Sequence, residues 1–331
     1  MTVTTVRFGN MTTYLLGIDL GGTNIKIGCF DTALKLIGKI SVPTDAEMGP
    51  DFIVDKFYCA SEELLKQNDL SLADVCAVGI GSPGSVNLTE GVVAAAPNLP
   101  LFKNVPLKEM ASRRLGKPAI LENDANAACW AEHIIGAGKG SDHMILLTLG
   151  TGIGGGIITD GRLIHGPSGG AAELGHLIIY PDGRLCGCGQ NGCVEAYASA
   201  NSTAARATET VRGGVRSSLE TPLKEHGKIT CKDVFQHAGH GDAVAKEVVE
   251  GTAKALALLC VQLANVTDPE SIVFAGGMIA AGDALLGPIR RFYKQTIGHV
   301  FNKGSLEICF AALGEDAGII GAASLALTAC R

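Results

Sequence analysis

The sequence predicts an α/β protein of two lobes, and three observations carry that expectation. A chain of 331 residues with 47 % apolar and 18 % charged residues can bury two medium-sized cores. Short apolar runs ending in glycine alternate with stretches of helical spacing. Two of the apolar runs also echo each other: 15–28 and 144–159 both read as strand, glycine turn, strand, which suggests an ancestral duplication with one such hairpin per lobe.

Residues 1–13 lack a basic start and an apolar h-region, and read as a flexible tail. In 14–30, YLLGIDLGGTNIKIGCF, Asp19 ends the first strand, Gly21 and Gly22 open the turn, and Thr23 offers a hydroxyl. Such a hairpin either wraps a phosphate in backbone N–H groups while the carboxylate holds a hydrated divalent ion, or is a plain tight turn. A third strand is expected over 34–42 and an amphipathic helix over 50–66. The run 75–84, VCAVGIGSPG, has glycines spaced as in a dinucleotide fingerprint, but Pro83 interrupts the turn and no ribose acid follows. A loop in which Gly81, Ser82 and Gly84 admit a ligand close to the backbone is the better reading.

In 91–101, Asn98 stands between prolines in what reads as a rigid loop presenting one amide. A helix is expected over 106–115 and a strand over 118–122, ending in Glu122, Asn123 and Asp124 before an alanine-rich helix over 125–135. Asp124 near a helix N-terminus is either a base for a substrate hydroxyl or only the N-cap. The run 136–141, GAGKGS, reads as a hinge and lacks the ending of a P-loop. After the second hairpin, Glu173 and His176 fall three apart, on one side of a turn. The region 197–264 is largely helical with a break at 212–230, and 270–277 is a buried strand ending in Gly276 and Gly277. A helix over 283–296, a strand over 306–311 and a small-residue helix within 314–330 complete the chain.

The stretch 176–195, HLIIYPDGRLCGCGQNGCVE, sets Cys186, Cys188 and Cys193 beside His176. Three thiolates and an imidazole close a tetrahedral shell for structural zinc; the plainer alternative is buried thiols beside an ordinary histidine. The remaining cysteines of the eleven, Cys29, Cys59, Cys76, Cys129, Cys231, Cys260, Cys309 and Cys330, are scattered among apolar residues, which favours reduced thiols and a cytoplasmic location. A net charge of -6 without basic blocks speaks against nucleic-acid binding, and no apolar run is long enough for a membrane span.

Taken together, Asp19-Leu-Gly-Gly-Thr23, Glu122-Asn-Asp124, Leu149-Gly-Thr-Gly-Ile-Gly-Gly155, Glu173-Leu-Gly-His176 and Cys186-Gly-Cys-Gly-Gln-Asn-Gly-Cys-Val-Glu195 resemble the ROK family of sugar kinases and sugar-responsive repressors. The resemblance implies the two-lobed actin, Hsp70 and sugar kinase fold, which is ribonuclease H-like, with an interlobe cleft. The first lobe would comprise 14–135 plus about 315–331, and the larger, zinc-bearing lobe 136–314. It implies transfer of the ATP γ-phosphoryl group, with Mg2+, to the 6-hydroxyl of a hexose by a glucokinase-type homodimer. Asp124 would be the catalytic base. Gly81, Gly84, Asn98, Asn123, Glu173, His176 and Glu195 would line the sugar, with His176 also serving Zn2+. Asp19, Gly21, Gly22, Thr23, Thr151, Gly152, Gly276 and Gly277 would hold the nucleotide. Glucose heads the substrates, with N-acetylglucosamine, N-acetylmannosamine, mannose and fructose as alternatives and a non-catalytic sugar sensor as another class. The repressors carry an N-terminal helix-turn-helix for which 1–13 offers no room, so a kinase is expected.

Overall fold

The structure, a computed structural model, describes residues 13–297 and 306–330. The expected N-terminal tail lies outside the described residues except for Thr13. Contacts among those residues divide the chain into two compact units. One holds 13–136, Leu163–Ala171 and 315–330, and the other holds Ala137–Arg162, 172–297 and 306–314. The first boundary falls at Gly136, where GAGKGS begins.

The first unit contains, in order, β1 (Tyr14–Leu20), β2 (Asn24–Asp31), β3 (Leu36–Pro43), α1 (Pro50–Gln67), β4 (Val75–Ser82), β5 (Ser85–Asn87), β6 (Val92–Ala95), β7 (Lys103–Val105), α2 (Leu107–Leu115), β8 (Ala119–Asn123) and α3 (Asp124–Ile135). Five of its strands form one sheet in the order β3-β2-β1-β4-β8, in which β1 runs antiparallel to β2 and parallel to β4. The central strands are covered on both faces, which is why β1 and β4 are nearly continuous apolar runs instead of alternating ones. Helix α1, with proline in its first turn, buries Ile53, Val54, Phe57, Leu64 and Leu65, residues that share one helical stripe.

The second unit contributes β9 (Met144–Leu149), β10 (Ile153–Thr159), β11 (Arg162–Leu163), α4 (Glu195–Ala198), α5 (Ala200–Arg212), α6 (Glu220–His226), α7 (Cys231–Gly239), α8 (Ala243–Thr267), β12 (Ser271–Ala275), α9 (Asp283–Thr296) and β13 (Glu307–Phe310). Its sheet runs β11-β10-β9-β12-β13, with β9 antiparallel to β10 and parallel to β12. Hairpin, central strand and two parallel strands thus recur in the same order in both sheets, as the echo between 15–28 and 144–159 suggested.

The last helix, α10 (Ala317–Ala326), returns to the first unit. Ile319, Ala323 and Ala326 pack there with Leu15, Phe30 and Ala77. The approach is close enough to require glycine. A Cβ at Gly17 would lie 1.9 Å from the Ile319 carbonyl oxygen, and one at Gly79 would lie 1.7 Å from that of Ala322.

Three expectations need correction. The rigid loop over 91–101 includes β6, the middle of a three-stranded sheet β5-β6-β7, because its short valine run pairs with partners on both sides. The break at 212–230 contains α6. Cys76 and Cys330 are disulfide-bonded with their Cα atoms 5.5 Å apart, since the turn after α10 brings the chain end back to β4, so the expectation of reduced thiols fails for this pair. No helix of the described residues is long and apolar enough to cross a membrane.

Candidate active site

In the first unit, the β1–β2 turn closes with the Gly21 N–H donating to the Asn24 carbonyl at 3.0 Å, and Thr44 Oγ1 donates to the Gly21 carbonyl at 2.7 Å. Thr23 at its tip is exposed. Asp19 is the last residue but one of β1, and burial raises its carboxyl above the ordinary range despite the attraction of Lys26. A Cβ on Gly318 of α10 would come within 2.8 Å of an Asp19 carboxylate oxygen, so a glycine there makes room for that acid. A Cβ on Gly22 would lie 2.7 Å from the Asn98 Cβ, which puts the hairpin turn against the Asn98 loop.

The end of β8 supplies the next group. Asn123, not Asp124, is the N-cap of α3: its Oδ1 accepts the N–H groups of Ala125 and Asn126, and its Nδ2 donates to the Gly84 carbonyl at 3.2 Å. Asp124 is therefore the first helical residue, with one carboxylate oxygen accepting the Ala125 N–H at 2.8 Å. A Cβ at Gly81 would lie 3.6 Å from the Asp124 Cα. Gly84, at φ 87°, faces the Ala95 carbonyl where a Cβ would clash at 2.1 Å, so it serves the fold as well as any ligand.

Glu122, just before this pair, went unassigned in the sequence. Its carboxylate is buried, accepts the Asn123 N–H and Asn126 Nδ2, and lies 2.9 Å from His165 Nε2. Only an acid at the buried end of an apolar strand hinted at it.

In the second unit, the β9–β10 turn carries Thr151, exposed, and Gly152. The Ile153 N–H donates to Glu195 Oε2 at 2.8 Å, and Gly152 leaves space for that carboxylate. Gly276, at φ 88°, packs against the end of β9 at Leu149, while a Cβ on Gly277 would meet nothing within 4 Å, an open backbone beside the hairpin. Glu173 is exposed and opens the short 3-10 turn Leu174–His176, which Leu174 and Gly175 seat on β10.

His176, Cys186, Cys188 and Cys193 present ligand atoms all within 4.8 Å of one another. The Cys188 and Cys193 sulfurs are 3.7 Å apart, and Cys186 Sγ is 3.7 Å from His176 Nδ1. A tetrahedral ion with bonds of about 2.3 Å to sulfur needs edges of about 3.8 Å, so the four residues fit zinc. Burial pushes the Cys186 thiol up to about 12, whereas the Gln190 backbone N–H lowers that of Cys188, and a cation would bring all three to thiolate.

The structure thus brings Asp19, Gly21, Gly22, Thr23, Gly81, Gly84, Asn98, Asn123 and Asp124 into the first unit. Thr151, Gly152, Glu173, His176, Glu195, Gly276, Gly277 and the cysteines belong to the second.

Residues 15–329 match the model of the ROK family. The chain is similar to the glucokinase of Thermotoga maritima, 40 % identical over 315 residues that cover 94 % of this chain and 96 % of that protein. It is also similar to the N-acetylmannosamine kinase of Citrobacter koseri, 32 % identical over 312 residues that cover 94 % and 98 % of the two chains. The crystal structure of a ROK family glucokinase from Streptomyces griseus in complex with glucose and AMPPNP aligns with TM-score 0.80 at 35 % identity, covering 95 % of this chain and 99 % of that one. With the two-lobed α/β fold of the actin, Hsp70 and sugar kinase superfamily and a family match over nearly its whole length, the chain belongs to the ROK family and is an ATP-dependent kinase that phosphorylates a hexose.

Proposed function

We propose that this kinase is a glucokinase acting on the 6-hydroxyl of glucose. The observation that carries the choice of sugar is the higher identity to glucokinases, 38 % and 40 %, than to N-acetylmannosamine kinases, 31 % and 32 %, at similar coverage. N-acetylmannosamine is the second reading for the same reason.

In the proposed reaction a bond forms between the sugar oxygen and the γ-phosphorus, the bond from that phosphorus to the β–γ bridging oxygen breaks, and ADP leaves. Asp124 takes the hydroxyl proton on its carboxylate; its place at the start of α3 beside Gly81 supports that role. The two glycine hairpins would hold phosphate oxygens through backbone N–H groups, since such transfer asks mainly for positioning and charge screening. Magnesium near Asp19 supplies that screening when bound. Asn98, the remaining N–H of Asn123, Glu173, the outer edge of His176 and Glu195 would bind sugar hydroxyls. Directed hydrogen bonds of this kind separate epimers, because the wrong one leaves a buried partner unmade. Zinc on His176 and the three cysteines would fix the loop that bears Glu195. A homodimer, expected from the family resemblance, is checked by light scattering.

The deciding experiment measures ADP release with ATP, magnesium and glucose, N-acetylglucosamine, N-acetylmannosamine, mannose or fructose. The highest kcat/KM is expected with glucose; a higher value with an N-acetylated sugar would overturn the assignment.

A further inference from the structure

Glu122 is only 5 % exposed, so its carboxylate cannot reach a substrate in bulk solvent, and a buried charge without partners is costly. Its hydrogen bonds go in two directions. One oxygen accepts the Asn123 N–H at 2.9 Å and Asn126 Nδ2 at 3.1 Å, holding the cap and first turn of α3 on either side of Asp124. The other lies 2.9 Å from Nε2 of His165, a residue 43 positions further along the chain.

His165 lies in the segment Leu163–Ala171, which belongs to the first unit although the residues before and after it belong to the second. That segment is closed on itself and held at one further point. The Ala171 N–H donates to the His165 carbonyl at 3.1 Å, closing the glycine-rich run into a loop. Gly169, at φ 76°, lies so near the Val86 carbonyl that a Cβ would stand 2.5 Å from its oxygen. Two residues beyond the segment comes Glu173.

We propose that His165 is a positioning residue for the sugar site. Through Glu122 it fixes the Asn123–Asp124 end of β8, and through its own backbone it anchors the chain that continues to Glu173. The inference rests on the hexose-kinase reading and deepens it, because it names a residue that acts through Glu122 on the proposed base Asp124 and the proposed sugar ligand Asn123.

The same geometry makes the link sensitive to pH. Glu122, from β8, is the charged group that acts on His165 among the described residues; its hydrogen bond and charge raise the imidazole pKa, against the opposing effect of burial. Below that raised value the imidazole is protonated and faces Glu122 as a cation. As pH rises through it, the imidazole gives up its positive charge, the attraction to Glu122 is lost and the anchor weakens.

The test compares wild type with His165→Ala and His165→Gln, the glutamine retaining an N–H to donate. Steady-state kinetics give the KM for sugar and for ATP, and the fluorescence of Trp130, the single tryptophan and part of α3, gives sugar affinity without turnover. The expected result for His165→Ala is a sugar KM raised about tenfold or more with the ATP KM little changed, and recovery of most of that loss in His165→Gln. Wild-type sugar KM should climb with pH through the imidazole titration, and neither variant should show that limb. Equal shifts in both KM values, or an unchanged pH limb in the variants, would overturn the proposal. If His165→Ala does not fold, the glutamine variant alone decides through its pH profile. Wild type that neither binds nor phosphorylates a hexose would overturn the kinase reading and this inference together, whereas normal wild-type turnover with unshifted variants overturns this inference alone.

Discussion

The Glu195 carboxylate accepts the Ile153 backbone N–H at 2.8 Å, and its second oxygen lies 3.6 Å from the Cys186 sulfur. One side chain thus joins the turn of the second hairpin to the thiol cage. Glu195→Ala is expected to raise the KM for ATP as well as for sugar and to lower kcat/KM about a hundredfold. Two-substrate kinetics check this; a change confined to the sugar KM would show that the hairpin does not depend on the bond.

Asp124 can be tested with little change of shape. Asp124→Asn keeps an oxygen to accept the Ala125 N–H but removes the proposed base, so kcat should fall roughly a thousandfold. Sugar affinity, followed by Trp130 fluorescence, should stay within about threefold. Normal turnover would remove Asp124 from the mechanism.

Purified protein should contain about one zinc per chain by atomic absorption. Cys188→Ala should lose the metal, lower Tm by several degrees and weaken sugar binding, because Ile178 pairs with Cys193 and so ties the loop to the turn that carries Glu173. Unchanged Tm and sugar binding in metal-free protein would remove the ion from the structure's support.

Gly79→Ala forces a methyl group against the Ala322 carbonyl, a contact that only a shift of α10 can relieve. Urea unfolding should show a loss of about 3 kcal/mol.

Cys330→Ser should lower stability by about 2–4 kcal/mol relative to oxidised wild type, and a dithiol reductant should have the same effect on wild type and none on the variant. Mass spectrometry of peptides containing Cys76 checks the pairing directly.

Much of this was legible in the residues because it is local. Helix α9 spans the 283–296 read from its apolar spacing, and both hairpins stand where glycine follows an apolar run. The three-stranded sheet β5-β6-β7 was not legible, since strands of three or four residues leave too short a pattern to separate from loop. Asn123 and Asp124 are equally good caps by type, and only the backbone geometry assigns the cap to Asn123. The Glu122–His165 bond joins residues from distant parts of the chain, and the need for glycine at 318 depends on Asp19 packing beside it, so neither leaves a mark in its own neighbourhood.

The return of α10 to the first unit bears on how the protein is made. Strands β1 and β4 leave the ribosome well before the helix that covers one face of them, which follows the second unit in the chain. During synthesis that apolar face must wait, open to the solvent or to a chaperone, while the entire second unit is translated. A chain stalled or cut before Ala317 would leave Gly17, Gly79 and the flank of Asp19 bare, and quality control in the cell should treat it as unfinished.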